Sequence, residues 1–390
     1  MSLADTAESW LAAHYDDLVA WRRHIHRHPE LGRQEFATTQ FVAEHLVEAG
    51  LNPKALPGGT GLTCDFGPEY APRIALRADM DALPLDERTD APYSSTVPGV
   101  AHACGHDAHT AMLLGAATAL ASAPELPVGV RLIFQPAEEL MPGGAIDAIA
   151  AGALSGVSRI FALHCDPRLA VGRVAITAGP ITSAADSVEI TLHSAGGHTS
   201  RPHLTSDLVY GMGTVITGLP GVLSRRIDPR HGTVMVWGAA NAGVAANAIP
   251  QIGTLAGTVR TASRDTWLEM EGLVRETVSG LLAPLGIEHS LQYRRGVPPV
   301  VNEERSTQIM THAIEQVGPD VLADTRQSGG GEDFSWYLED VPGAMARLGV
   351  YSGDGPQRDL HQPNFDLDER ALAVGVRVLV NVVEQSAVFE

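Results

Sequence analysis

Arg73-Ile-Ala-Leu-Arg77 is a short, nearly continuous apolar run, and two acids, Asp79 and Asp81, follow it closely. A strand that is apolar on both faces suits a parallel sheet covered on both sides. Two further runs read the same way: Val130-Arg-Leu-Ile-Phe134 and Arg159-Ile-Phe-Ala-Leu163. Helix-like segments at about 107–123 and 143–154 separate them, which is a βαβ rhythm. Upstream, Leu11, Tyr15, Leu18, Trp21 and Ile25 recur at three- and four-residue spacing, an amphipathic helix ending before Pro29. A second helix runs from about Thr38 to Ala49, with Gly50 as its stop.

From about Ser187 the rhythm changes. Strand 187–194, helix 206–226, strands 232–239 and 251–261, helix 263–284 and strand 288–295 follow in turn. That βαββαβ order is the split-βαβ pattern of a ferredoxin-like unit. Gly296-Val-Pro-Pro299 breaks it, and the α/β rhythm then resumes. A final helix is expected from Asp366 to about Glu384, with Asp366 and Glu369 as a capping box. The reading is an α/β protein. A metal-binding domain with a central, mostly parallel sheet (1–182 and 297–390) is interrupted by a small lid or dimerisation domain (183–296).

The chain has 390 residues and a formal net charge of −19, so a phosphate backbone or an anionic membrane is repelled. Apolar residues make up 44% and charged residues 19%, enough core-forming content to exclude a disordered chain. The longest weakly apolar stretch, Ala111 to Ala123, is too short to span a bilayer and stops at Pro124. Residues 1–10 carry Asp5 and Glu8 and lack the basic and apolar regions of a signal peptide. Three cysteines, Cys64, Cys104 and Cys165, are an odd, low count that argues against a disulfide framework, so a reducing cytoplasm is expected.

The polar clusters fall at the carboxyl ends of the predicted strands. Asp79 and Asp81 follow one, Glu138 and Glu139 follow the next, and His164 directly ends the third. In open α/β sheets ligands bind at that edge. A loop carrying Cys104-Gly-His106 completes the convergence, and thiolate, imidazole and carboxylate are the usual ligands of zinc and its neighbours. Taken singly, Cys104 reads as a small buried hydrophobe and the two aspartates as turn residues. Together, at repeated strand ends, they read as a site. Side chains of adjacent residues point in different directions, so Glu138 and Glu139 are suited to two tasks, metal binding and proton transfer.

Nine stretches, in order, resemble the M20 metallopeptidase superfamily in its amidohydrolase branch, which includes hippurate hydrolases, aminoacylases and plant indole-acetyl-amino-acid hydrolases. They are Arg23-His-Ile-His-Arg-His-Pro-Glu-Leu31, Arg77-Ala-Asp-Met-Asp-Ala-Leu-Pro84, Ala103-Cys-Gly-His-Asp-Ala-His-Thr110, Gln135-Pro-Ala-Glu-Glu139, Gly196-Gly-His198 with Pro202-His203, Asn247-Ala-Ile-Pro250, Gly257-Thr-Val-Arg-Thr261, Gly331-Glu-Asp-Phe334 and Leu360-His361. The resemblance implies two divalent ions (Zn, Mn, Co or Ni), bridged by Cys104 and completed by His106, Glu139, His164 and His361. It makes Glu138 the general base and later acid, with Asp81 supporting the site. It implies that His198 polarises the scissile carbonyl, often across a dimer interface, and that Asn247 and Arg260 bind substrate, Arg260 as a clamp on its α-carboxylate. The implied reaction is attack of metal-bound water on the amide of an N-acyl-L-amino acid, in a homodimer formed through the small domain.

Other residues read as structural. His24, His26 and His28 lie on different faces of a helix end, and His203 beside Pro202 leans the same way. His109, one turn into the helix after the cysteine loop, reads as a supporting residue. Cys64, Cys165, Trp267 and Trp336 read as packing. Where the superfamily's peptidase branches carry a histidine two residues before the supporting aspartate, this chain has Asp79, which favours the amidohydrolase branch. The alternative in the same chemistry is a dipeptidase or metallocarboxypeptidase. A cysteine hydrolase using Cys104 and His106 is a second class, with poor geometry at i, i+2. A non-catalytic binding protein is a third, and the presence of Glu138 argues against it.

Overall fold

The computed structural model describes residues 2–69 and 73–389. The chain divides into two compact units: Met1–Gly179 with Val301–Arg326 and Asp333–Glu390, and Pro180–Val300 with Gln327–Glu332. The short segment Gln327–Glu332 therefore groups with the second unit, although the sequence reading placed it in the first. Ser328 N and Ser183 N donate to the carbonyls of Ile181 and Gly330, and these backbone bonds tie it there.

The first unit is built on an eight-stranded sheet. Arg73–Asp79 lies between Gly129–Gln135 and Val157–Ala170, parallel to both, and Gly343–Tyr351 continues the parallel run beside Val157–Ala170. Antiparallel pairs occur toward the edges, as where Leu62–Phe66 meets Gly129–Gln135. The nearly continuous apolar character of these strands is explained by burial on both faces: Ile74, Leu76, Leu132, Phe134, Ile160 and Phe161 are all inaccessible. Helices Leu3–Arg27, His106–Ala121 and Arg370–Phe389 pack on one another beside the sheet. The last of these is long and apolar enough to cross a membrane by length and composition, yet Leu372, Val376, Leu379, Val380 and Val383 are buried in the protein core.

That helix begins at Arg370, four residues later than the sequence suggests. Asp366 and Glu369 do not cap it because arginines claim them. Arg22 Nη2 donates to Asp366 Oδ1 at 3.1 Å, and Arg23 donates to both oxygens of Glu369 at 2.8 and 2.6 Å. Asp368 accepts from Arg370 N at the helix start instead.

Arg22 is fully buried, and its Nε donates to Asp107 Oδ1's partner oxygen, Oδ2, at 2.6 Å, where His26 Nδ1 also lies at 2.7 Å. Burial opposes the charge on Asp107, but Arg22 and His26 outweigh it and hold the carboxyl well below the usual range. The stability this provides is present above the ordinary carboxylate range and is lost as the pH falls through the depressed value. Arg22→Met strands a buried carboxylate, so unfolding stability at pH 7 should drop by about 3–5 kcal/mol, read by urea titration. A loss under about 1 kcal/mol would show that the pair is not needed.

In the second unit the strands Ala184–His193, Val234–Ala242, Ile252–Thr261 and Glu288–Val297 alternate with helices Leu208–Arg226 and Arg264–Leu282 in the order βαββαβ. Across the sheet the order is Val234–Ala242, Ile252–Thr261, Ala184–His193, Glu288–Val297, with every neighbouring pair antiparallel. Val188, Ile190 and Leu192 alternate along their strand and pack with Leu208, Val215, Val274 and Val278 of the helices. The buried Asp186 accepts from Trp267 Nε1, Tyr293 OH and Gly296 N at 3.0, 2.6 and 2.9 Å. The packing expected of Trp267 thus includes a partner for its N–H.

Candidate metal centre

Gly105 is the hinge of the Cys104–His106 loop. Its φ of 87° is left-handed, and a Cβ there would lie 2.9 Å from Cys165 Sγ. The turn places Cys104 beside the start of helix His106–Ala121. His106 Nδ1 lies 2.9 Å from the carbonyl of Asp81, and His164 Nδ1 lies 2.8 Å from the carbonyl of Cys165. A carbonyl can only accept, so both rings carry their proton on Nδ1 and keep Nε2 for another partner. His106 Nε2 is buried without a hydrogen-bond partner. His164 Nε2 is 3.7 Å from Cys104 Sγ, close to the roughly 3.5 Å expected of a thiolate and an imidazole on one tetrahedral cation.

His164 does not end its strand, as the sequence suggested. The strand runs on to Ala170, paired with Gly343–Tyr351. On the other side, pairing with Arg73–Asp79 stops at Ala162, which leaves that side open where His164 emerges. His361 arrives from the C-terminal segment in a left-handed conformation, φ 62°, and its N–H donates to the carbonyl of Ala103 at 2.7 Å. Its Nε2 is 3.1 Å from Glu139 Oε1, but the two are not aligned as a hydrogen bond.

Two groups of ligand atoms, each mutually within 4.8 Å, result: Cys104 with His106 and His164, and Cys104 with Glu139 and His361. They share one sulfur, which could bridge two neighbouring cations. Glu138 joins His106 and Glu139 in a third such group, its Oε2 3.9 Å from His106 Nε2. The donor chemistry fits cations. Burial, with the Glu139 and Glu138 carboxylates nearby, pushes the Cys104 thiol well up, so a thiolate here needs added positive charge. Burial holds His164 neutral, down to about 3. Burial also opposes charge on Glu139, but His361 and His106 overcome this and lower it.

Asp81 ties together the backbone at Glu138 and Glu139 and the His106 ring. Its Oδ1 and Oδ2 accept from Glu138 N and Glu139 N at 2.9 and 3.0 Å, while its carbonyl orients His106. A further group of Asp79, His106 and His109 is compact enough for an ion, but His109 has no free nitrogen. Nδ1 lies 2.6 Å from Asp79 Oδ1, and Nε2 accepts from Cys165 N at 2.9 Å. His109 thus has the supporting place expected of it. Asp79 is held in turn by Arg77 Nη1 at 2.6 Å, and Arg77 also donates to Gln135 and Asp333 at 2.9 and 2.7 Å. The sequence reading gave Arg77, Gln135 and Asp333 no role, although a charged residue inside an apolar strand was the available signal. Glu35, whose Oε1 accepts from Ala137 N just before Glu138, left no signal beyond an acid ahead of a predicted helix.

The other three predicted residues lie in the second unit. His198 pairs with Ala248 in a two-stranded ladder, and Thr199 N donates to the carbonyl of Asn247 at 3.2 Å, so His198 and Asn247 are neighbours. His198 is exposed, and its Nδ1 accepts from Ser200 N at 3.1 Å, which leaves Nε2 as the proton-bearing atom. Arg260 Nη1 donates to the carbonyl of Gly329 at 2.6 Å.

A parallel-sheet unit that gathers a thiol, three imidazoles and two carboxylates at one edge defines a metallohydrolase-type site. The chain belongs to peptidase family M20/M25/M40, whose sequence profile matches residues 75–385, and whose members hydrolyse amide bonds. It is 59% identical over 364 residues to a protein of Rhodococcus jostii (strain RHA1) bearing the provisional name glutamate–cysteine ligase 2-3. That match covers 93% of this chain but only 46% of the relative. It is 37% identical over 357 residues to the N-acetyl-L-cysteine deacetylase of Bacillus subtilis (strain 168), covering 91% and 84% of the two chains. Among solved structures it resembles the Bacillus subtilis YXEP protein, described as a dinuclear metal binding peptidase of the M20 family, with a TM-score of 0.84, 34% identity and coverage of 95% and 98%.

Proposed function

We propose that the protein is a metal-dependent amidohydrolase that cleaves an N-acyl-L-amino acid to a carboxylic acid and the free amino acid. The observation that carries this is the pair of ligand groups sharing Cys104, with the Glu138 carboxylate beside them. The name of the N-acetyl-L-cysteine deacetylase supports the substrate class. Cys104, His106, Glu139, His164 and His361 would hold two divalent cations, which would supply Lewis acidity toward water and an amide carbonyl.

The remaining steps belong to the chain. Glu138 takes the proton of the attacking water and returns it to the leaving nitrogen. His198, with its proton on Nε2, donates to the developing oxyanion. Asn247 orients the substrate and Arg260 pairs with its α-carboxylate. The second unit acts as lid and dimerisation domain. The exposed Val234 and Val236 on the edge strand of its sheet support a homodimer, which sedimentation at several concentrations tests. Three free cysteines support a reducing cytoplasm.

Chelation followed by separate addition of zinc, manganese, cobalt and nickel tests the proposal. Acetyl-, benzoyl- and long-chain acyl-amino acids are assayed beside free-amine dipeptides. Hydrolysis of the acylated substrates should fall at least about 100-fold on chelation and return with metal. Activity that survives chelation but not thiol alkylation would assign a cysteine hydrolase, and preference for free dipeptides a peptidase.

A further inference from the structure

We propose that Glu35 is a positioning residue for Glu138; the inference rests on the assignment of Glu138 as the base. Glu35 directly precedes helix Phe36–Glu48, where an acid would ordinarily cap the exposed N–H groups, yet its side chain makes no such bond. It is fully buried, and Oε1 accepts from Ala137 N at 2.7 Å instead.

Ala137 is one of three non-glycine residues at positive φ among the described residues, at 58°. Such a conformation persists where its surroundings over-determine it. Its carbonyl accepts from Gly144 N at 2.9 Å, and a Cβ on Gly144 would lie 1.9 Å from the carbonyl oxygen of Pro136, so the loop closes tightly on itself. The next two N–H groups, of Glu138 and Glu139, fall on the two oxygens of Asp81. Three consecutive peptide N–H groups therefore end on carboxylate oxygens. Successive N–H groups around a left-handed residue form an anion-binding concavity, and here the protein's own acids fill it. Asp81 alone accounts for two of the three. Glu35 supplies the third, at the residue whose φ sets the direction in which Glu138 leaves the loop.

Glu35 is an expensive choice for packing alone. Its Oε2 is buried without a hydrogen-bond partner. Burial, with the Asp81 charge nearby, pushes its carboxyl up to about 7. A leucine would fill similar space without that penalty, at the loss of the acceptor for Ala137. What the acid supplies here, and a leucine could not, is an acceptor for the loop.

The test compares Glu35→Leu, Glu35→Gln, Glu35→Asp, Glu138→Gln and the double variant Glu35→Leu/Glu138→Gln as full-length proteins loaded with the same metal. Metal content and melting temperature are measured beside kcat and KM. Glu35→Leu should keep its metal content and melt within a few degrees of the parent, with KM within about threefold and kcat lowered about 100-fold, the scale of an ångström's misplacement. Glu35→Gln, which keeps an acceptor oxygen, should restore kcat to within about fivefold. Glu35→Asp, one methylene short, should resemble Glu35→Leu, and it carries the test if the leucine variant does not fold. In the Glu138→Gln background Glu35→Leu should cost less than about threefold further, because the effect passes through Glu138. Parental kcat in Glu35→Leu or Glu35→Asp, failure of Glu35→Gln to rescue, or additive losses in the double variant would overturn the inference. If Glu138→Gln itself is fully active, the base assignment falls and takes this inference with it; an inactive Glu138→Gln beside an active Glu35→Leu removes only the role of Glu35.

Discussion

Glu138→Gln should lower kcat by about 10³-fold while leaving metal content and substrate affinity nearly unchanged, as expected when a proton-transfer group is removed from an otherwise intact site. The expectation follows from what holds the residue. The Glu138 backbone is fixed by Asp81, and amide for carboxylate is nearly isosteric, so the loop has no reason to move. The ligand groups with Cys104 at their centre do not include Glu138. Only the ability to accept a proton is lost. Glu139→Gln differs: its Oε1 lies 3.1 Å from His361 Nε2, in the group built on Cys104, so it should lose metal as well as rate. The contrast between adjacent glutamates, read by metal analysis and steady-state kinetics, checks the division of labour. A Glu138→Gln variant with a normal rate, or one stripped of metal, would refute it.

Much of this site was legible because its residues follow buried parallel strands, whose apolar runs are visible in the sequence. Asp79, Asp81, Glu138 and Glu139 could be placed at one sheet edge from periodicity alone. His164 shows the limit of that reading. Its strand continues past it, and what opens the site is the loss of a neighbouring strand after Ala162, which is a property of pairing and not of composition. The capping box expected at Asp366 failed for a similar reason: Arg22 and Arg23, more than 340 residues away, take those acids as partners. Glu35 was invisible because a buried acid bonded to a distant backbone N–H has the same local sequence as a helix cap. Supporting contacts of this kind are long-range and carry no spacing rule.

Cys104 should be the residue whose loss is felt by both cations. In Cys104→Ala the two ligand groups lose their common atom, leaving His106 with His164 and Glu139 with His361, two donors each where three stood. Structural and catalytic sites for such ions ordinarily use three or more protein donors, so occupancy should fall below one ion per chain at micromolar free metal, with kcat down at least about 10³-fold. Cys104→Asp is the informative partner. A carboxylate can bridge two cations as a thiolate does. It should restore two ions per chain and part of the rate. In the cobalt-loaded protein it should also remove the near-ultraviolet absorption that a sulfur-to-metal bond produces. If Cys104 were instead a nucleophile, aspartate would leave no activity whatever the metal content. Two ions bound by Cys104→Ala as tightly as by the parent would mean that the groups on either side of this sulfur hold their cations independently, and the shared-ligand geometry would have to be abandoned.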